Sequence, residues 1–401
     1  MPWEIKKSAG ETRVLAPGES VPVLAETDVL VVGGGSAGIA AAVAAARNGA
    51  RVLLAEKTGY LGGLASGGLI ILLLTLDDGE GNQIVAGLCQ EMVERLERRG
   101  TAIYPPKQDW GRREAEAIAK WEPWGLVWGA NPKVVRYSVA YDPEIFKFEA
   151  NTMVLESGAK LLFHVWGSRA IVEGDRIRGV VFQTKDGRRA VLSSVVIDST
   201  GDGDIFADAG AAYEKEAVFP WLWFRMGNVE EIDRAVKEGE WFFKTPNAKM
   251  ALFPWGSAAR INRRIDATSS EDLTYAEIEC RKAVMEEVES LRKSTPGFEA
   301  AYLSDMAIMI GITESRRLRG EYVLARADAN KPFEDVVART GNWTKAGMVY
   351  NIPYRSLLTR EFRNLLVAGR CISVDHRAHH STKEIPPCFA TGEAAGTAAA
   401  L

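Results

Sequence analysis

Cysteine is scarce in this 401-residue chain, and the few present do not cluster. Cys89, Cys280, Cys371 and Cys388 lie far apart and form no CxxC pair. That spacing excludes a zinc site, a disulfide framework and an iron–sulfur or haem relay, and it fits a reducing cytoplasm. An excess of either charge is also missing. Forty-nine Lys and Arg against 53 Asp and Glu give a net charge of −4, which supplies no electrostatic footprint for nucleic acid or an anionic membrane. Long apolar runs are absent: the strongest, Leu69 to Leu76, falls short of the ~20 residues a spanning helix needs. The first twenty residues carry no apolar segment of the signal-peptide kind, so neither export nor membrane insertion is expected.

What is present is 47% hydrophobic residues, enough for a large core over more than one domain. Residues 1–26 read as an extended polar lead-in. From Asp28 the pattern is β-α-β: strand Val29–Val32, helix Ala37–Asn48, strand Val52–Ala55. A helix over Asp142–Glu156 and a strand over Lys160–Phe163 follow. Strands at Ser168–Val172, Ile177–Gln183 and Val191–Ile197 come next, separated by turns at Glu173-Gly174-Asp175 and Asp186-Gly187, and read as a small antiparallel insertion. Tryptophans crowd at Trp221, Trp223, Trp241 and Trp255, and a long helix spans Tyr275–Lys293 before Thr295-Pro296-Gly297 stops it. The chain ends with strand Leu365–Ala368 and a small-residue helix, Ala390–Leu401. The composition divides into 1–26, 27–215, 216–345 and 346–401, with the last part returning to the character of the second.

Gly33-Gly34-Gly35-Ser36-Ala37-Gly38 satisfies GxGxxG between a strand and a helix, the context in which that motif binds a dinucleotide. Gly33 permits the tight turn, Gly35 lets a phosphate approach the backbone, and Gly38 allows close packing of the helix on the sheet. Free N–H groups at the helix start, around Ser36 and Ala37, face a pyrophosphate. Glu56, followed by Lys57, ends the second strand, where a carboxylate accepts both ribose hydroxyls and repels a 2′-phosphate. NADP is disfavoured; FAD and NAD remain.

Further motifs carry a resemblance. They are Tyr60-Leu61-Gly62-Gly63, the Asp198-Ser199-Thr200-Gly201-Asp202-Gly203-Asp204 run, Leu366-Val367-Ala368-Gly369-Arg370 and Ala390-Thr391-Gly392-Glu393-Ala394-Ala395-Gly396. With Glu314-Ser315-Arg316-Arg317, these resemble the FAD-dependent oxidoreductases, two-dinucleotide-binding-domain flavoproteins that neighbour the fumarate reductase group. The resemblance implies an α/β fold: a Rossmann-like FAD-binding domain, split into 27–215 and 346–401 and carrying the antiparallel insertion, plus a mixed α+β substrate domain at 216–345. It implies FAD, with Gly62, Gly63, Thr200, Gly201, Gly369, Arg370, Gly392 and Ala394 joining the residues above in holding it. Two positions depart from the family pattern. Thr313 stands where an arginine is usual, and His380 and Lys383 stand where Gly and Arg are common. FAD is also favoured by length, because a glycine-rich strand-to-helix unit recurs near both ends of the chain, and a helix starting near Ala390 would aim N–H groups at the flavin N1–C2=O edge.

Three of only four histidines fall in Asp375-His376-Arg377-Ala378-His379-His380, read as a loop passing the flavin. His379 and His380 are the acid/base candidates, and Arg317 the candidate for binding a substrate carboxylate or steadying reduced flavin, with an ion pair to Glu314 or Glu321 as its alternative. Trp110, Trp121, Trp124, Trp128 and the Phe219–Phe224 stretch form either a ring-binding wall or core. The expected function is removal of a hydride from a CH–OH or CH–CH carbon of a small organic substrate, with an external acceptor: oxygen, a quinone or another protein. A flavin-dependent isomerase or lyase without net redox change, or a non-catalytic flavin-binding partner protein, are the alternatives. Self-association into a homo-oligomer is compatible with so many aromatics.

Overall fold

The computed structural model describes residues 20–230, 232–233, 242–254 and 261–401, together with the strands Glu4–Ser8 and Glu11–Leu15. The expected Trp241 and Trp255 lie outside the described residues. The architecture is mixed α/β around a seven-stranded sheet. Strands Lys160–Leu162, Val52–Ala55, Val23–Val32 and Gly187–Asp198 run in parallel in that order. The sheet continues antiparallel through Arg176–Thr184 and Trp166–Glu173. Gly187–Asp198 serves two partners: its first half makes a hairpin with Arg176–Thr184, and its end, Val196–Asp198, pairs in parallel with Leu365–Val367. The antiparallel insertion is therefore an extension of the central sheet, and the C-terminal strand returns to it.

Hydrophobic runs such as Val29–Val32 are buried on both faces, as interior parallel strands require. Helix α1, Ser36–Arg47, covers one face, and ten of its twelve residues are buried. Its alanines make a surface smooth enough for a second helix to approach closely. Along the chain follow α2 Gly87–Arg98, α3 Pro143–Glu156, α4 Ser270–Ser294 and α5 His376–Thr382, and the helix that approaches α1 is the last, α6 Ile385–Ala400. A Cβ on Gly392 would sit 2.1 Å from the Ala37 carbonyl oxygen, and one on Gly396 the same distance from that of Ala41. Helix α6 thus lies backbone-to-backbone on α1, one turn per glycine.

A second, four-stranded antiparallel sheet has the order Phe243–Lys244, Ala251–Phe253, Phe224–Gly227, Tyr302–Met306. Aromatics fill its core: Phe224 stacks on Phe253 with centroids 4.7 Å apart, and Phe242 and Phe298 close around them. A hairpin of Val336–Asn342 and Lys345–Pro353 packs against α5 and α6.

Three expectations are corrected. The lead-in forms a hairpin, Glu4–Ser8 with Glu11–Leu15, and the first sheet strand begins at Val23. The final helix starts at Ile385 rather than near Ala390, because Pro386 and Pro387 occupy its first turn, where a missing N–H breaks no helical bond. The histidine segment is the helix α5, capped by Asp375, whose carboxylate accepts from the Ala378 N–H at 2.6 Å. Among the described residues no helix is long and apolar enough to cross a membrane.

The α1–α6 contact yields a test. Gly396→Val should lower unfolding stability by about 1–3 kcal/mol or more, since backbone atoms cannot yield to the new side chain. Chemical denaturation measures it, and an unchanged midpoint would show that the crossing is not tight.

Candidate active site

At the end of Val23–Val32 the chain turns at Gly33, whose φ of +101° and Cβ direction, 2.5 Å from the Ser199 carbonyl oxygen, admit no side chain. Ser199 Oγ lies 2.8 Å from the Gly33 carbonyl oxygen and donates to this turn. A Cβ on Gly38 would fall 1.8 Å from the same carbonyl, so this glycine packs the helix start against the turn. Gly35 is different: a Cβ there would meet nothing within 4 Å. It opens onto a cleft, and no side chain caps the N-terminus of α1 beside it.

The second glycine turn folds against the first. Gly62 N–H donates to the Gly34 carbonyl at 2.9 Å, and Gly62 and Gly63 both have positive φ. Glu56 is buried, its carboxylate accepting from Gly34 N–H at 2.6 Å and from Thr58 N–H at 2.8 Å. From the next strand end, the Asp198 carboxylate accepts from the N–H groups of Thr200, Ile205 and Phe206 and from Thr200 Oγ1 at 2.7 Å. Burial outweighs those bonds and pushes its pKa up to about 6. Arg370, after the last strand, reaches Asp202 at 2.7 Å and the Ile312 carbonyl at 3.0 Å.

One cleft joins these pieces. Gly33, Gly35, Ser36, Ala37, Glu56, Lys57, Gly62, Gly63, Thr200, Gly201, Gly369 and Arg370 all line it. Gly38 stands behind the turn as a packing residue. Gly392 and Ala394 are corrections: Gly392 is pressed against the Ala37 carbonyl, while Ala394 lines a groove on the other side of α6. With the helix beginning at Ile385, positions 392 and 394 lie two turns inside it. Sequence reasoning missed Ser199, Asp202, Met309, Ile385 and Cys388 as lining residues. Ser199 and Asp202 belong to the Asp198–Asp204 run, whereas Met309 carries no signal. At the start of α6 the prolines have no N–H and Cys388 N–H bonds to the Glu384 carbonyl, so among the described residues Ile385 is the first-turn donor without a partner.

Beside the cleft lies a cavity of about 640 Å³. Lys383 lines both. Ile70, Leu72, Leu74, Trp221 and Trp223 form apolar wall, and Trp128, Trp343 and Tyr350 add aromatic surface. Trp343 comes from the turn of the 336–353 hairpin. A fully buried pair holds that turn: Arg136 Nε donates to Asp77 at 2.8 Å, and its Nη1 donates to the Asn342 and Trp343 carbonyls at 3.2 and 3.4 Å. Of the aromatics expected to choose between wall and core, Trp128, Trp221 and Trp223 line the cavity, while Trp110 stacks on Tyr137 at 4.1 Å and Trp121 donates to Asp109.

The histidines of α5 divide by environment. His379 is buried, with Nε2 donating to the Arg370 carbonyl at 2.9 Å and Nδ1 3.5 Å from Glu314. Burial first, then the charges of Lys383, Arg370 and Arg317, hold its pKa well below the ordinary imidazole range. Both ring nitrogens are thus turned to protein, and His379 ties the cleft wall to the cavity wall. His380 is exposed, and its ring forms no hydrogen bond among the described residues. It leans on Trp343 with centroids 4.7 Å apart. Partial burial and the Lys383 charge lower its pKa, so the imidazole is neutral at pH 7. Arg317 is a further correction. It is buried, donates to Glu314 and to the Val374 carbonyl, and does not reach the cavity, the internal pair being what burial of a guanidinium demands.

A model of the FAD dependent oxidoreductase family matches residues 28–401. The chain belongs to that family. Its cofactor is FAD, and the protein is an enzyme. No curated protein matches the chain. Among solved structures, the L-amino acid deaminase of Proteus myxofaciens in complex with anthranilate is similar at TM-score 0.54 and 12% identity, covering 100% of this chain and 95% of that one. The L-amino acid deaminase of Proteus vulgaris is similar at 0.50 and 13%, covering 94% and 91%. At these identities the likeness concerns the fold.

The residues fit an FAD. Gly35 leaves the room a pyrophosphate needs, the uncapped start of α1 supplies donors, and Glu56 offers a carboxylate to the ribose. Gly35→Val should abolish FAD retention while leaving far-UV circular dichroism unchanged, because its side chain enters only the cleft. A yellow variant with full FAD content would contradict this. His379→Ala, which strips a buried carbonyl of its donor, should cost about 1–3 kcal/mol, read as a lower thermal midpoint.

Proposed function

We propose that this flavoenzyme oxidises a small organic substrate at a CH–OH or CH–CH carbon in the 640 Å³ cavity, with His380 as the proton acceptor. The observation that carries this reading is the shared wall: Lys383 belongs to the cofactor cleft and to the cavity, and His380, three residues earlier on the same helical segment, presents a neutral imidazole to the cavity. FAD, when bound, supplies the two-electron acceptor.

The chain's own groups supply the rest. His380 accepts the substrate proton, and the nearby Glu384 carboxylate favours the resulting cation. Trp343 packs against the imidazole at a tilt and restricts its rotation. Lys383 is held by Glu384 at 2.6 Å, which keeps its charge at the junction of the two spaces. His379 and Glu314 act behind the wall, positioning α5 against Arg370. The apolar wall of Leu72, Leu74 and Trp223 limits water around the reacting carbon. No redox motif of the chain relays electrons onward, so an external acceptor, whether oxygen, a quinone or another protein, completes the cycle.

His380→Ala should leave the flavin spectrum intact and slow its anaerobic bleaching by substrate about 10²–10⁴-fold. In the wild type, kcat/KM should fall as pH drops through a value under the ordinary imidazole pKa, because the base must be neutral; the variant should lack that limb. Equal bleaching rates in the two proteins would remove His380 from the mechanism.

A further inference from the structure

We infer that the cavity selects an amphipathic organic acid, a carboxylate at its mouth and an apolar ring or chain within. This deepens the proposed function and rests on its reading of the cavity as the substrate site.

The argument is a balance of charges. Two carboxylates line the cavity, and both are committed: Glu314 to Arg317 and to His376 at 2.8 Å, Glu384 to Lys383 at 2.6 Å. Three further cations line it, Arg326, Lys345 and Arg377. None of their side chains has an acidic partner among the described residues. The neighbouring Asp375 carboxylate accepts from the backbone N–H groups of Ala378 and Arg326, and its single negative charge offsets only part of the three positive ones. All three cations are exposed, whereas Leu72, Leu74, Trp221 and Trp223 are buried. Positive charge therefore sits at the opening and apolar surface at depth.

The three cations come from separate elements: Arg326 from a short helical turn, Lys345 from the hairpin and Arg377 from α5. Charges gathered from three chain segments around one opening, with Asp375 offsetting only one of them, repel one another unless something anionic enters. Because they are solvated, their effect is on capture of the ligand and its salt dependence more than on the chemical step. A neutral sugar or an amine gains nothing from this arrangement.

The FAD-loaded enzyme can be titrated with 3-phenylpropionate and its neutral amide at low and high salt, following heat of binding and the flavin absorption bands together. The acid should bind about tenfold or more tightly than the amide at low salt, and high salt should narrow the gap. A Lys345→Gln/Arg377→Gln double variant should weaken the acid about tenfold while the amide changes far less. Equal affinities for acid and amide, or a double variant indifferent to charge, would overturn the inference. The two readings fail separately. If acid and amide move the flavin bands alike, the charge selection is wrong and the cavity assignment stands. If the acid binds with heat that the double variant loses, yet the flavin bands never move, selection stands and the proposed function falls.

Discussion

The contact on which this molecule depends is a backbone touching a backbone. Gly392 and Gly396 lie against the carbonyl oxygens of Ala37 and Ala41, at a separation where a single methyl group would not fit. The contact draws the start of α6 to the dinucleotide turn, although more than 340 residues separate them in sequence. Lys383 and Ile385 reach the cleft at the start of α6, while Gly369 and Arg370 arrive there from the strand Leu365–Val367, which pairs with Val196–Asp198. Close packing of small residues does this with little enthalpy per contact but over a long interface.

Cleft and cavity are then coupled through a polar cluster that is mostly buried. Glu314 accepts from Arg317 and His376, His379 stands between Glu314 and the Arg370 carbonyl, and Arg370 reaches Asp202 on the cofactor side. Removing any one member strands a buried polar group, which is costly at low local dielectric. The arrangement explains why the histidine segment is divided in function. His376 and His379, three positions apart on a short helix, both meet Glu314, while the ring of His380, one position further round, lies against Trp343.

The parts legible beforehand were local. Strand, glycine turn and alanine-rich helix at Val29–Asn48 follow from apolar runs and backbone sterics over a few residues, and the structure has them within a residue or two at their inner ends. The tight turn at Gly33 and the open Gly35 belong to the same class. Less legible was α5, because His, Ser and Thr are indifferent helix formers and only the Asp375 cap and packing against the hairpin favour the helix. Arg317 illustrates a harder limit. Its charge suggested a ligand, and only the nearness of Glu314, Glu214 and the Val374 carbonyl showed that its bonds were already taken.

By itself, then, the sequence determined a dinucleotide-binding β-α-β unit, its family and its cofactor, since these rest on short-range patterns of glycine, apolar residues and one terminal acid. The tertiary structure alone decided the neighbours of each charge: which histidine is free, which arginines are spent, and which tryptophans face a cavity. Those properties depend on groups hundreds of residues apart meeting across a packed core, and no local pattern records which partner a side chain will find.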